Sequence, residues 1–276
     1  MQLVFDYLPC LFVIKVWNIS IITLVIFNLI YLKADTILLS VWRPQAEVGF
    51  YGGAYRVIDQ FTALATMFVN LILPPMTAAW VARDHARFKR MYDRAFDGYA
   101  ILAFPLMVGA LLISRPLMRF VAGDEFDPAG GALAILMIGM GAVFFSTLFG
   151  HMVVILEKQK AMIIGYAATA VAGLVMYALA IPRYGMIGAA WSTVATEMLI
   201  MLITFFAVWK TTAMVPRFDI ALRSAAASLV MGLFLYAARD LHIVPLIFSG
   251  AIMYAAALYL FGGIKQETIR EMFSLR

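Results

Sequence analysis

The sequence predicts an all-α, polytopic membrane protein of about eight transmembrane helices, and three observations carry that prediction. Of 276 residues, 64% are hydrophobic and only 13% charged, about half the charged share of an ordinary soluble domain. The apolar residues fall in runs long enough to cross a hydrocarbon core of roughly 30 Å, which takes about 20 helical residues. The basic residues are sorted between alternate loops, which is the signature of an oriented membrane protein. The net charge of +5 therefore reflects topology, and no nucleic-acid partner is expected.

Taken in order, the spans are expected near 16–41, 55–80, 96–114, 132–156, 161–181, 186–209, 219–237 and 243–263. The first ends in "IYLKADTILLSVW", and its length exceeds one straight crossing. The second, opening on Tyr55 and Arg56, carries Pro74 and Pro75, and the third, after a basic loop, carries Pro105; these prolines should break or kink their helices. The fourth is bounded by "GDEFDPAGG" and "EKQK", the fifth and sixth are parted by "IPRYG", and the seventh follows "VPRFD". Residues 1–263 thus form one transmembrane domain. The remainder, 264–276, reads as a cytoplasmic amphipathic tail with Ile269, Met272 and Phe273 on one face. The start "MQLVFDYLPC" has no basic lead and no small-residue cleavage site, so the first apolar segment is expected to be retained.

Orientation follows from "RDHARFKRMYDR", whose Arg83, Arg87, Lys89, Arg90 and Arg94 belong in the cytoplasm by the positive-inside rule. Counting alternately, that side also receives Lys158, Lys160, Lys210, Arg217, Arg223, Lys265, Arg270 and Arg276. The outer side keeps Arg43, Arg115, Arg119, Arg183 and Arg239, offset by Glu47, Asp124, Glu125, Asp127 and Asp240. Both termini are then cytoplasmic.

No catalytic signature is present, so an enzyme is not expected, and there is neither a nucleotide-binding glycine loop nor a His/Cys pattern for a metal. No cofactor is expected. Cys10 reads as a small buried hydrophobe. The chemistry lies in intramembrane charge, which is expensive unless it faces a bundle interior or a watery cavity. Lys33 and Asp35 sit near the end of the first span, and Arg56 and Asp59 at the start of the second. Asp35 with Arg56, and Lys33 with Asp59, are the plausible pairs. Either the cluster lines a pathway for an anionic substrate or its members simply neutralise one another and fix the helix pair. Glu197 is the deepest acid: a coupling or substrate contact, or a partner in an interhelical hydrogen bond to Ser or Thr. His151 reads as interfacial, and Gly185, Gly188, Ala189 and Ala190 as a close-packing face.

In order along the chain, "ADTILLSVWRPQAEVGFYGGAYRVIDQF", "FVAGDEFDPAGGALAILMIG", "ILEKQKAM" and "IPRYGMIGAAWSTVATE" resemble the C-terminal half of polysaccharide and O-antigen flippases. These are members of the multidrug/oligosaccharidyl-lipid/polysaccharide exporter superfamily. The resemblance covers nearly the whole chain through ordered weak motifs. It implies a transporter of two six-helix lobes around a central cavity, moving undecaprenyl-diphosphate-linked oligosaccharide across the bacterial inner membrane by alternating access. On that map the chain corresponds to the second lobe plus two further helices, so it is expected to need an N-terminal lobe or to act as a homo-oligomer. The resemblance places Asp35 and Arg56 at the family's acid and base. It makes Lys33 and Arg56 the cavity cations, tempered by Asp35 and Asp59, and gives no family role to Glu197.

The implied partners are the lipid-linked oligosaccharide, membrane lipids, and a polysaccharide polymerase or glycosyltransferase. Two other readings remain: a cation-coupled drug or metabolite antiporter of the same superfamily, for which Glu197 speaks, and a non-transporting partner in a polysaccharide-synthesis complex. A sugar-polymer ligase is disfavoured by the short outer loops.

Overall fold

The computed structural model describes residues 33–263, and all the regular structure in that range is helical. Residues 33–42 are the described part of α1. There follow α2 (Gln45–Val81), α3 (His85–Ala122), a 3-10 turn at Asp124–Phe126, α4 (Ala129–Ile155), α5 (Gln159–Thr212), α6 (Asp219–Ala237) and α7 (Ile243–Leu260). Six helices among the described residues are long and apolar enough to cross a membrane. The chain is a multi-pass membrane protein. The amphipathic tail 264–276, Cys10 and most of the first expected span lie outside the described residues.

α5 supplies two crossings. At Gly185 the backbone leaves helical geometry (φ 56°, ψ −136°), and the chain doubles back. Tyr177 Oη lies 3.1 Å from Thr193 Oγ1 although sixteen residues separate them, a span that would measure about 24 Å along a straight helix. The approach is closest where a Cβ on Gly188 would lie 2.5 Å from the Ala180 carbonyl oxygen. Here the small-residue face predicted from the sequence packs one leg onto the other, with Ala189 and Ala190 fully buried.

α6 coincides with its expected span, and α4 lies within three residues of its own at both ends. α2 and α3 begin much earlier than expected, for one shared reason. The glycine-rich "EVGFYGGAY" and the basic "HARFKRMYDR" lack the hydropathy of a span, yet each buries one helical face. In α2 that face is Tyr51 and Ala54; in α3 it is Phe88, Tyr92, Ala95, Phe96 and Tyr99. Asp84 caps α3 by accepting from the Arg87 backbone nitrogen at 2.8 Å. The prolines do not end their helices: α2 continues through Pro74 and Pro75, and α3 through Pro105 and Pro116, as membrane helices tolerate.

α4 is the central post, packed by α2, α3 and both legs of α5. Its Leu133, Met137, Phe144 and Leu148 are among the most buried side chains. Phe96 of α3 lies against Phe145 and Phe149 of α4, and Phe149 meets Phe205 of α5. Polar side chains bond across helices where hydrocarbon surroundings offer no water. Tyr99 Oη donates to the Ala65 carbonyl at 2.7 Å, Ser224 Oγ to Ala100 at 2.9 Å and Tyr254 Oη to Ile101 at 2.8 Å. The last two fasten α6 and α7 to α3.

Candidate functional site

A buried polar hub sits between α1, α2 and the two legs of α5. Asp35 of α1 is only 3% exposed, and its carboxylate accepts from Tyr51 Oη at 2.9 Å and the Thr36 hydroxyl at 3.2 Å. Tyr51 and Tyr55 stand one turn apart on α2 with ring centres 5.0 Å apart. Their hydroxyls lie 3.3 and 3.5 Å from Thr193 Oγ1 on the second leg of α5, and Tyr177 of the first leg reaches the same atom at 3.1 Å. Thr193 also bonds to its own helix, donating to the Ala189 carbonyl at 3.1 Å. One hydroxyl therefore gathers three tyrosines from two helices, and Asp35 closes the group from a third.

The expected ion pairs do not form. Among the described residues no salt bridge joins Asp35 to Arg56 or Lys33 to Asp59. Helical geometry gives the reason: Tyr51 faces α1, and Arg56, five residues on, is turned about 140° away. Asp35 is satisfied by Tyr51 instead, and Lys33 lies 5.3 Å from the Tyr55 ring centre as a cation over an aromatic face. Glu197 lies one turn beyond Thr193 on the same leg, partly buried. It makes no interhelical bond among the described residues, because Thr193 and Thr196 donate to the carbonyls of Ala189 and Ser192.

Arg56 and Asp59 belong to a second feature. Along α2, Arg56, Asp59, Gln60, Thr66, Asn70 and Thr77 recur every few residues on one face, all exposed and interleaved with the exposed Met67 and Leu71. A polar face on a membrane-crossing helix is costly against lipid and stable against water or protein. The stripe runs past a cavity of about 300 Å³ between α2 and α4 that includes Thr66 and His151. It then reaches an opening of about 620 Å³ lined by Thr77, Trp80, Arg83 and His85. Val154 borders both.

At the opposite end, Arg43 Nε pairs with Glu47 at 2.8 Å, and Glu47 accepts from the Met186 backbone nitrogen at 2.6 Å. Arg43, placed by the sequence on the outer side, thus helps lock the α1–α2 corner to the turn of α5. Among the described residues no group of three His, Cys, Asp or Glu side chains is placed to hold a metal ion.

The sequence singled out Asp35 but missed Tyr51, Tyr55, Tyr177 and Thr193, which come from three separated segments. The one local signal was the Tyr-x-x-x-Tyr spacing, which puts two hydroxyls on one helical face after a buried acid.

Residues 12–130 match the model of a family described as polysaccharide biosynthesis protein. No curated protein matches the chain. Among solved structures, the chain is similar to "Lipid II flippase MurJ, inward closed conformation", with a TM-score of 0.71 at 17% identity over 87% of this chain. The match takes in 51% of that structure, so the chain spans about half its length. The fold is that of such a flippase. The family match takes in under half of the chain, and the structural match shows a shared fold.

Proposed function

We propose that the chain forms one lobe of a transporter that moves an undecaprenyl-diphosphate-linked oligosaccharide across the bacterial inner membrane, for surface polysaccharide such as O-antigen, capsule or exopolysaccharide. The observation that carries this reading is the exposed polar face of α2 from Arg56 to Thr77, open beside a cavity inside a membrane bundle. Such a face needs water or a second protein surface opposite it. The MurJ-like fold supplies a precedent for a lobe of this shape in a lipid II flippase.

Arg56 has its side chain exposed on the stripe and no ion-pair partner among the described residues. An unpaired guanidinium offers a diphosphate two parallel donors, and Lys33, 5.3 Å from the ring centre of Tyr55 beside it, adds a second cation. Asp59 moderates that charge. Held by Tyr51, Asp35 fixes the hub that positions α1 against α2 and α5. Alternating access would swing the stripe between the two sides against an opposing lobe, either an N-terminal lobe or a second copy. The basic residues at one end of the bundle support cytoplasmic termini.

A cation-coupled antiporter is the second reading. Glu197, without a hydrogen-bond partner among the described residues and one turn from the hydroxyl hub, favours it as a coupling group.

Complementation tests the proposal. The chain is expressed alone, and beside a separately encoded N-terminal lobe, in a bacterium lacking its O-unit flippase, and surface polysaccharide is scored. Rescue is expected with the lobe present, and is expected to disappear in the Lys33→Ala, Arg56→Ala double variant. Full rescue by that variant refutes the cationic path; no rescue by any combination, with membrane insertion verified, refutes the flippase reading.

A further inference from the structure

The open cavity where α2, α4 and the first leg of α5 meet has a chemistry unlike that of a phosphate site. It is lined by Thr66, Ser146, Thr147, His151 and Tyr166, with Gly150 and Val154 and no acidic, lysine or arginine side chain. Its volume of about 300 Å³ lies at the small end of the range for ligand pockets, roughly 300–1,000 Å³.

The direction of each hydrogen bond decides what the cavity offers. The Thr66 hydroxyl donates to the Thr62 carbonyl at 2.9 Å, and those of Ser146 and Thr147 donate to the Val143 carbonyl at 3.1 and 2.7 Å. Their protons are committed to their own helices, so each presents lone pairs to the cavity. His151 Nδ1 lies 2.8 Å from the Thr147 carbonyl. A carbonyl only accepts, so Nδ1 carries a proton, and in the neutral imidazole Nε2 is then a further acceptor. The Tyr166 hydroxyl, which makes no hydrogen bond among the described residues, is the donor. The residue is 41% exposed, and its ring adds an aromatic face.

Several fixed acceptors, one donor, an aromatic face and no formal charge would repel a diphosphate and suit a ligand that is itself dense in hydroxyl donors. Resting on the flippase reading, we infer that this cavity is a saccharide subsite that holds a neutral sugar ring of the lipid-linked substrate. Thr66 lies ten residues beyond Arg56 on the same face of α2, about 15 Å along the helix. A diphosphate at Arg56 therefore leaves the cavity to sugars farther out on the glycan.

Binding separates the subsite from the diphosphate contact. The purified full chain in detergent is titrated with undecaprenyl diphosphate and with the same lipid carrying a neutral trisaccharide. The sugar-bearing lipid is expected to bind about tenfold more tightly, as one or two net hydrogen bonds would give. Thr147→Val and His151→Phe should erase that preference while leaving affinity for the bare lipid unchanged. Ser146→Ala, a smaller change, should reduce it, and thermal unfolding checks that each variant is folded. Arg56→Ala should weaken both lipids equally. Equal wild-type affinity for the two lipids, or a preference that survives in the folded variants, overturns the subsite and leaves the flippase reading standing. Failure of the wild type to bind either lipid, both alone and together with the N-terminal lobe, overturns the flippase reading and the subsite with it.

Discussion

The Met186 backbone nitrogen donates to Glu47 Oε1 at 2.6 Å, tying the start of α2 to the turn inside α5 across 139 residues of sequence. That turn is possible because Gly185 adopts a positive φ of 56°, and a methyl group there would collide with the Glu47 carboxylate.

Gly185→Ala should therefore cost about 2 kcal/mol or more, combining backbone strain with the collision. Glu47→Ala should cost about 1–3 kcal/mol by orphaning the amide and releasing Arg43. Thermal unfolding in detergent reads both; an Ala variant at either position as stable as the wild type would contradict the lock.

Loss of the hub hydroxyl in Thr193→Val should destabilise by about 1–2 kcal/mol, since an interhelical membrane hydrogen bond averages roughly 0.6 kcal/mol and three tyrosines converge here. Tyr51→Phe should be worse than Tyr55→Phe, because Tyr51 donates to Asp35 at 2.9 Å. Equal unfolding temperatures for the two phenylalanine variants would show that Asp35 does not depend on Tyr51.

Arg56 predicts the opposite profile. Exposed and unpaired among the described residues, it should be removable without loss of stability. Arg56→Ala should nevertheless lower flipping of a lipid diphosphate in proteoliposomes about 10- to 100-fold, the value of a charge-assisted hydrogen bond. A parallel fall in unfolding temperature would assign the residue to the fold instead.

Glu197 separates the two transport readings. If it carries the coupling ion, Glu197→Gln should transport without responding to an imposed proton or sodium gradient, at unchanged stability. A full gradient response in the variant excludes Glu197 from coupling.

Hydropathy made the spans legible where charge or proline bounds them, as at "VPRFD" before α6. It failed at the starts of α2 and α3, where a glycine-rich and a basic stretch stay helical because one face packs. The reversal at "IPRYG" was legible as a break in hydropathy. Its fastening by Glu47 was not, because the partner lies far away in sequence. Asp35 was recognisable as a membrane acid, but charge invites pairing with charge. Its real partner is a tyrosine hydroxyl, and nothing in the local pattern of Tyr177 or Thr193 announces a role in the same group.

The α2 stripe has a further consequence, for biogenesis. Inserted by itself, the chain would leave Arg56 and Asp59 uncovered at the start of a span, where a charge costs less than the roughly 2.5–3.5 kcal/mol it would at mid-membrane but is still unfavourable. Whatever closes over α2 relieves that burden. An uncovered stripe is therefore a mark that membrane quality control can read, and the steady-state abundance of this protein in a cell should rise and fall with the surface that covers it.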